Sequence, residues 1–266
     1  MRASAIRLGA PAFGARGLLA LAARILAVAL LVVLLGFPDL AAPVLAPLAR
    51  AGAPVIYNQG DLLDLTWQHL RIVALSTTLA ALLAVSMAIF VTRPVGAEFL
   101  PLSRSLVNVG QTFPPVAVLA LAVPAVGFGE TPTLIALFLY ALLPVFETTL
   151  TGLTTLPPAV IEAARGMGLT GWQRLWRVEL PLALPLMVAG LRLSAVIGLG
   201  TATIGSTVGA RTLGEVIIAG LLSDNAAFVL QGGAIVAVLA VLVYDALTQL
   251  ERTLARRLRP ASHDER

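Results

Sequence analysis

The chain has 266 residues, a mean hydropathy of +0.93, and charged side chains at only 12% of its positions. Every one of its 18 basic residues is arginine and there is no cysteine, which excludes a GxxxxGK[ST] phosphate loop, disulfides and thiolate metal sites. The two histidines, His69 and His263, lie far apart and form no metal-binding pattern, and in so apolar a chain a basic pI of about 10.6 records membrane topology rather than nucleic-acid binding.

In chain order, Arg2, Arg7 and Arg16 precede "GLLALAARILAVALLVVLLGF", an apolar run long enough to cross about 30 Å of hydrocarbon. Its core exceeds the length of a signal peptide and no small-x-small cleavage site follows it directly, so it is expected as a retained first helix. Pro38 to His69, rich in Pro, Gly and Asp, reads as an external loop. Further spans are expected at about Leu70–Val91, Val107–Phe128, Pro132–Leu150, Pro185–Val208 and Phe228–Leu250. Pro114, Pro115 and Pro124 make the third span overall, Val107–Phe128, kinked or partly unwound, hence interior to the bundle. The expected architecture is an all-α, polytopic transmembrane bundle of about six spans. Its parts are an N-terminal segment (1–17), the first helix and external loop (18–64), the main transmembrane domain (65–255) and a basic tail (256–266).

The arginines set the expected sidedness. Arg2, Arg7, Arg16, Arg93, Arg104, Arg165, Arg174, Arg177, Arg252, Arg256, Arg257, Arg259 and Arg266 fall on the side of the termini, against Arg50, Arg71 and Arg211 opposite. The positive-inside rule then places both termini and residues 154–182 in the cytoplasm.

That cytoplasmic stretch contains "EAARGMGLTGWQRLWRVELP". Pro157 and Pro158 suit a first helical turn, and Gly166 or Gly168 supplies the left-handed residue that ends it. Thr170 followed by Gln173 is a capping-box pattern, starting a second helix that Pro181 is expected to terminate. On that helix Trp172, Leu175, Trp176 and Glu179 are expected to share one side, with Arg174 and Arg177 on another. The tryptophans suit either a headgroup belt or a docking surface for a cytoplasmic protein.

The spacing of Glu162, Ala163, Ala164, Gly168, Val178, Leu180 and Pro181 resembles the EAA signature of permease subunits of bacterial ABC importers, and implies the type I importer permease fold. "HLRIVALSTTLAALLAV", "QTFPPVAVLALAVPAVGFG", "ALFLYALLPVFETTLTGL" and "GTATIGSTVGARTLGEVIIAGL" are similar, in order and spacing, to the permeases of osmoprotectant importers, which move glycine betaine, choline and carnitine. Glu147–Thr148 and Arg211–Thr212 depart from the pattern, where the family often has Arg-Asn and Gly-Gly. The resemblance implies a multi-pass protein of the bacterial inner membrane that carries no cofactor itself. ATP and Mg would sit on a separate ATP-binding cassette subunit, docked on Glu162, Ala163, Ala164, Gly168, Trp172, Arg174, Trp176 and Arg177. A second permease, identical or a sister, and an extracytoplasmic solute-binding protein complete the implied partners, with the lipid bilayer around them and no nucleic acid. Within the class, methionine or alkyl sulfonate is the alternative cargo. A lone channel or ion-coupled carrier is the alternative class, although no inverted repeat or midplane carboxylate pattern is evident.

Gly190, Ser194, Gly198, Ala202 and Ser206 recur every four residues in the fifth span. This small-residue stripe suits close helix packing. It also suits a seam between two permeases, with Thr201, Thr203 and Ser206 lining the solute path. Arg24 and Arg192 are expected to snorkel toward the cytoplasmic interface. Glu147 and Asp245 are expected to pair with Arg192 or with loop arginines.

Overall fold

The computed structural model describes residues 15–258; the expectations for the N-terminal arginines Arg2 and Arg7, and for His263, Arg259 and Arg266 in the tail, lie outside them. The described residues are helical, without strands. They form α1 (Ala15–Gly36), α2 (Leu62–Val91), α3 (Leu100–Thr112), α4 (Pro115–Val126), α5 (Glu130–Thr154) and α6 (Pro158–Gly166). These are followed by α7 (Gly171–Val208), α8 (Gly214–Leu222) and α9 (Ala226–Leu258). Helices α1, α2, α5, α7 and α9 are each long and apolar enough to span a bilayer.

Helix α5 is the hub, packed by α2, α3, α4 and α7 and the most buried of the five. Its partners approach through small residues. A Cβ on Gly110 of α3 would come within 2.4 Å of the Leu139 carbonyl oxygen, and one on Gly190 of α7 within 2.0 Å of Thr148 Oγ1. Without water to hydrate backbone, such close packing is what holds helices together in lipid. Helix α1 lies at the rim, seated chiefly on α9 and largely exposed.

One expected boundary shifts. Helix α2 begins at Leu62 rather than Leu70, because Asp61 caps it, its carboxylate accepting from Leu63 N–H at 2.8 Å. The remainder of the expected external loop carries short helical turns over Pro38–Leu48 and is tied to α9. Asn225 Nδ2 donates to the Pro54 carbonyl at 2.8 Å, Tyr57 N–H donates to Gln231 Oε1 at 2.9 Å, and the Tyr57 ring meets Phe228 edge-on.

The third expected span is not one continuous helix. Helices α3 and α4 meet at 96° across Phe113–Pro114, since Pro114 and Pro115 both lack the N–H that would continue α3. Three side chains satisfy the carbonyls freed at the break and beside it. Thr112 Oγ1 donates to Val109 O at 2.8 Å, and the Tyr140 hydroxyl of α5 donates to Phe113 O. Gln111 Nε2 donates at 3.1 Å to Tyr140 O, a carbonyl that Pro144 cannot serve within α5. Irregular backbone persists inside an apolar bundle when it is satisfied in this way.

Candidate functional site: the helix corner and the seam of α7

Helix α6 ends in a Schellman turn. Leu169 N–H reaches Ala164 O at 3.2 Å, Gly168 N–H reaches Arg165 O at 2.9 Å, and Gly168 holds φ +75°. Of the two candidate glycines, Gly168 therefore makes the corner, and Gly166 stays helical. Thr170 then opens α7 with a complete capping box: its hydroxyl accepts from Gln173 N–H at 3.3 Å and its own N–H donates to Gln173 Oε1 at 3.0 Å.

Pro181 does not terminate this second helix. The chain widens into a π-turn over Leu175–Glu179 and continues without interruption to Val208. Pro181 has no N–H to donate to the carbonyl four residues earlier, and the π-turn shifts the ladder across that gap. The second helix of the corner is thus continuous with the fifth span.

The expected apolar side of this helix splits. Leu175 and Glu179 are buried, whereas Trp172 and Trp176 are 68% and 55% exposed, stacked edge-to-face with centroids 5.6 Å apart. Glu162, Ala163, Arg165 and Arg177 are also exposed, while Ala164 packs inward. The exposed set combines a pair of touching indoles with polar side chains of both helices. Arg174 is not part of it, because its Nε lies 2.6 Å from Glu179 Oε1.

Glu179 is the residue that sequence reasoning underrates. Only 5% of its side chain is exposed, and its second oxygen lies 2.5 Å from Nη2 of Arg93, just beyond the end of α2. One carboxylate thus bridges a guanidinium of the corner and a guanidinium of α2, beside a cavity of about 270 Å³ lined by Thr92, Thr154 and Ile161. An acid between two arginines of distant segments carries no local pattern, so no spacing rule exposes it.

The small-residue stripe on α7 is turned inward. Gly190 faces Pro144 and Thr148 of α5, Ser194 Oγ donates to Ala141 O at 2.9 Å, Gly198 faces Val73 of α2, and Ala202 is fully buried. Packing within the chain accounts for the burial of these four, the close-packing reading of the stripe. Thr201, Thr203 and Ser206 are only partly covered, as the α-turns tighten to 3₁₀ over Ala202–Val208, and Gly200 and Thr207 beside them are exposed. Where the ladder changes type, the buried His69 of α2 hydrogen-bonds the Leu199 carbonyl at 3.0 Å. Thr212 pins the turn that follows, meeting Ser206 Oγ at 2.8 Å and donating to Ala202 O at 3.1 Å.

The expected snorkelling arginines are paired. Arg24 of α1 binds Asp245 of α9, and Arg192 of α7 binds Glu251 and Thr248 of α9 while stacking over Tyr244. Glu147 pairs with Arg104 of α3 at 3.1 Å. Lipid-side charges find partners because an isolated guanidinium at that depth is costly. At the opposite end of the bundle Arg211 pairs with Asp64 at 2.9 Å. Beside them, burial pushes the Glu215 carboxyl of α8 above the usual range; Arg211 opposes this and Asp64 adds to it.

Comparison with known proteins places this geometry. Residues 80–259 match the family model described as "binding-protein-dependent transport system inner membrane component". The osmoprotectant import permease protein OsmY of Salmonella typhimurium is 42% identical over 198 residues, covering 74% of this chain and 84% of that protein. The carnitine transport permease protein OpuCB of Listeria monocytogenes is 41% identical, covering 74% and 89%. The glycine betaine/carnitine/choline transport system permease protein OpuCB of Bacillus subtilis is 35% identical, covering 73% and 89%. Among solved structures, a chain of the MetNI methionine ABC transporter in an inward-facing conformation superposes with a TM-score of 0.65 at 23% identity, covering 73% of this chain and 95% of that one. With apolar spanning helices, a glycine-cornered EAA stretch fused to the fifth span, and a family match over most of its length, the chain belongs to the binding-protein-dependent transport system inner membrane components, the multi-pass permease subunits of ABC importers.

Proposed function

We propose that this chain is the permease of an ATP-driven importer for glycine betaine or related quaternary amines. It pairs with itself or a sister permease, takes solute from an extracytoplasmic binding protein, and engages an ATP-binding subunit that carries ATP and Mg. Both termini are cytoplasmic in this reading, as the arginine distribution favours.

The observation that carries the mechanism is the continuity of α7. Its first two turns present Trp172 and Trp176 to a partner, and Tyr140-anchored α5, together with α9 and α2, grips its remainder. A push on the exposed face formed by Glu162, Ala163 and the two tryptophans moves the fifth span as a lever, with Gly168 as the corner that fixes the angle between α6 and α7. Indole pairs of this kind are typical anchors of a protein interface. Closure of the ATP-binding subunits would then rock the partly exposed strip of Gly200, Thr201, Thr203, Ser206 and Thr207, which we assign to the solute path. Hydroxyls and small residues suit a permanently charged, methylated ammonium that forms no hydrogen bond of its own. The substrate class rests on the curated relatives, which are named for osmoprotectants, carnitine, choline and glycine betaine.

Uptake of labelled glycine betaine, with choline and an unrelated amino acid as competitors, tests this in a transport-deficient host carrying the chain and its partner genes. Choline-sensitive uptake is expected. Methionine-sensitive uptake without betaine transport would retain the permease and reject the substrate.

A further inference from the structure

At the end of the α1–α9 pair nearest the chain termini lies a basic groove of about 400 Å³. Gly17, Ala20 and Arg24 recur along one face of α1, and the two small residues hold that wall open. The opposite wall is Gln249, Arg252, Thr253 and Arg256, one face of about the last three turns of α9. Asp245 neutralises only one of the three arginines: its Oδ1 accepts from Arg24 Nη2 at 3.0 Å and its Oδ2 from Gln249 at 2.8 Å. No described carboxylate lies within ion-pair distance of Arg252 or Arg256, which stand one turn apart and repel each other.

We propose that this groove binds the phosphate headgroup of an anionic phospholipid of the cytoplasmic leaflet. It rests on the sidedness proposed above, and the family model, which starts at residue 80, does not include α1. Arg252 and Arg256 present two guanidinium forks to phosphate oxygens, and Gln249 Nε2, which gives one hydrogen to Asp245, keeps a second for a neutral contact. Beside the groove's lining residues α1 carries the exposed Leu21 and Ile25 and α9 the exposed Leu250, apolar side chains that suit acyl chains and that a free anion does not need. The occupant is therefore a lipid, and it clamps the rim helix α1 to α9 beside the Arg24–Asp245 pair. Basic pockets between helices at the cytoplasmic interface suit such headgroups.

The test is native mass spectrometry of the purified complex in detergent, titrated with phosphatidylglycerol, with phosphatidylcholine and with inorganic phosphate as competitor. The wild type is expected to retain phosphatidylglycerol over phosphatidylcholine, without displacement by millimolar phosphate. At the strength of two interfacial arginine contacts, Arg252→Gln with Arg256→Gln should weaken retention by roughly 30-fold. Arg257→Gln, an exposed neighbour outside the groove, should leave it unchanged. Equal loss in Arg257→Gln, no preference over phosphatidylcholine, or displacement by phosphate would each overturn the site. Micelles have no sidedness, so an externally accessible C-terminal tag in cells would reject the topology alone.

Discussion

Replacing Glu179 by glutamine removes the one charge that holds Arg93 and Arg174 together. The carboxylate is 5% exposed, and the guanidinium side chains that contact it are 26% and 18% exposed. Breaking a buried ion pair by removing one partner costs about 3–5 kcal/mol, because the other charge is left in a dry setting. Here both arginines keep some access to water and glutamine retains a hydrogen bond, so the expected cost is about 2–3 kcal/mol. For a chain of this size that corresponds to a fall in Tm of roughly 4–12 °C. The exposed Arg71–Glu130 pair, with side chains 47% and 39% exposed, is the internal control; Arg71→Gln should cost about 0–1 kcal/mol. Thermal unfolding of the detergent-purified complex measures both, alongside ATP hydrolysis with and without solute. The bridge ties the corner to the end of α2, so Glu179→Gln should also reduce the stimulation of hydrolysis by solute and binding protein. Unchanged Tm and unchanged stimulation in Glu179→Gln would refute the bridge as a mechanical link.

The packing account predicts that Gly190→Leu fails to accumulate as folded protein, because even a Cβ there meets Thr148 Oγ1 at 2.0 Å and the Pro144 carbonyl oxygen at 2.8 Å; membrane-fraction immunoblotting decides it, and normal accumulation would contradict the inward stripe. Trp172→Ala with Trp176→Ala should leave stability near wild type, since both rings are exposed, but weaken co-purification of the ATP-binding subunit at least tenfold. At α8 the folded state raises the Glu215 pKa, so its ionisation works against the fold: the stability is greatest below the ordinary carboxylate range and declines as pH rises through the raised value. Glu215→Gln should therefore raise the Tm at pH 7, with the gain vanishing near pH 4, as followed by unfolding at several pH values.

What is legible in the sequence is what depends on local pattern. Long apolar runs give spans because the bilayer demands about 20 apolar residues. The capping box at Thr170 and the glycine corner are equally local, and both stand at the expected residues. The departures come from nonlocal effects. Pro181 reads as a stop because a lone proline breaks an α-helix, but a π-turn absorbs it. A small-residue stripe marks a close approach without saying to which helix; in the fold Gly190 meets α5 and Gly198 meets α2. The prolines around Phe113 announce a kink, yet its angle depends on Tyr140 and Gln111 from either side of the α3–α5 contact. Glu179 and Arg93 are 86 residues apart and meet only in the folded chain.

The most direct test of the central claim compares glycine betaine uptake and ATP hydrolysis in the wild-type complex and in Gly168→Val. Gly168 holds φ +75°, and a Cβ placed on it would meet no atom within 4 Å, so valine strains the corner's backbone without a steric clash. The account predicts an assembled complex that still hydrolyses ATP but loses betaine uptake; Gly168→Val with wild-type coupled uptake would contradict it.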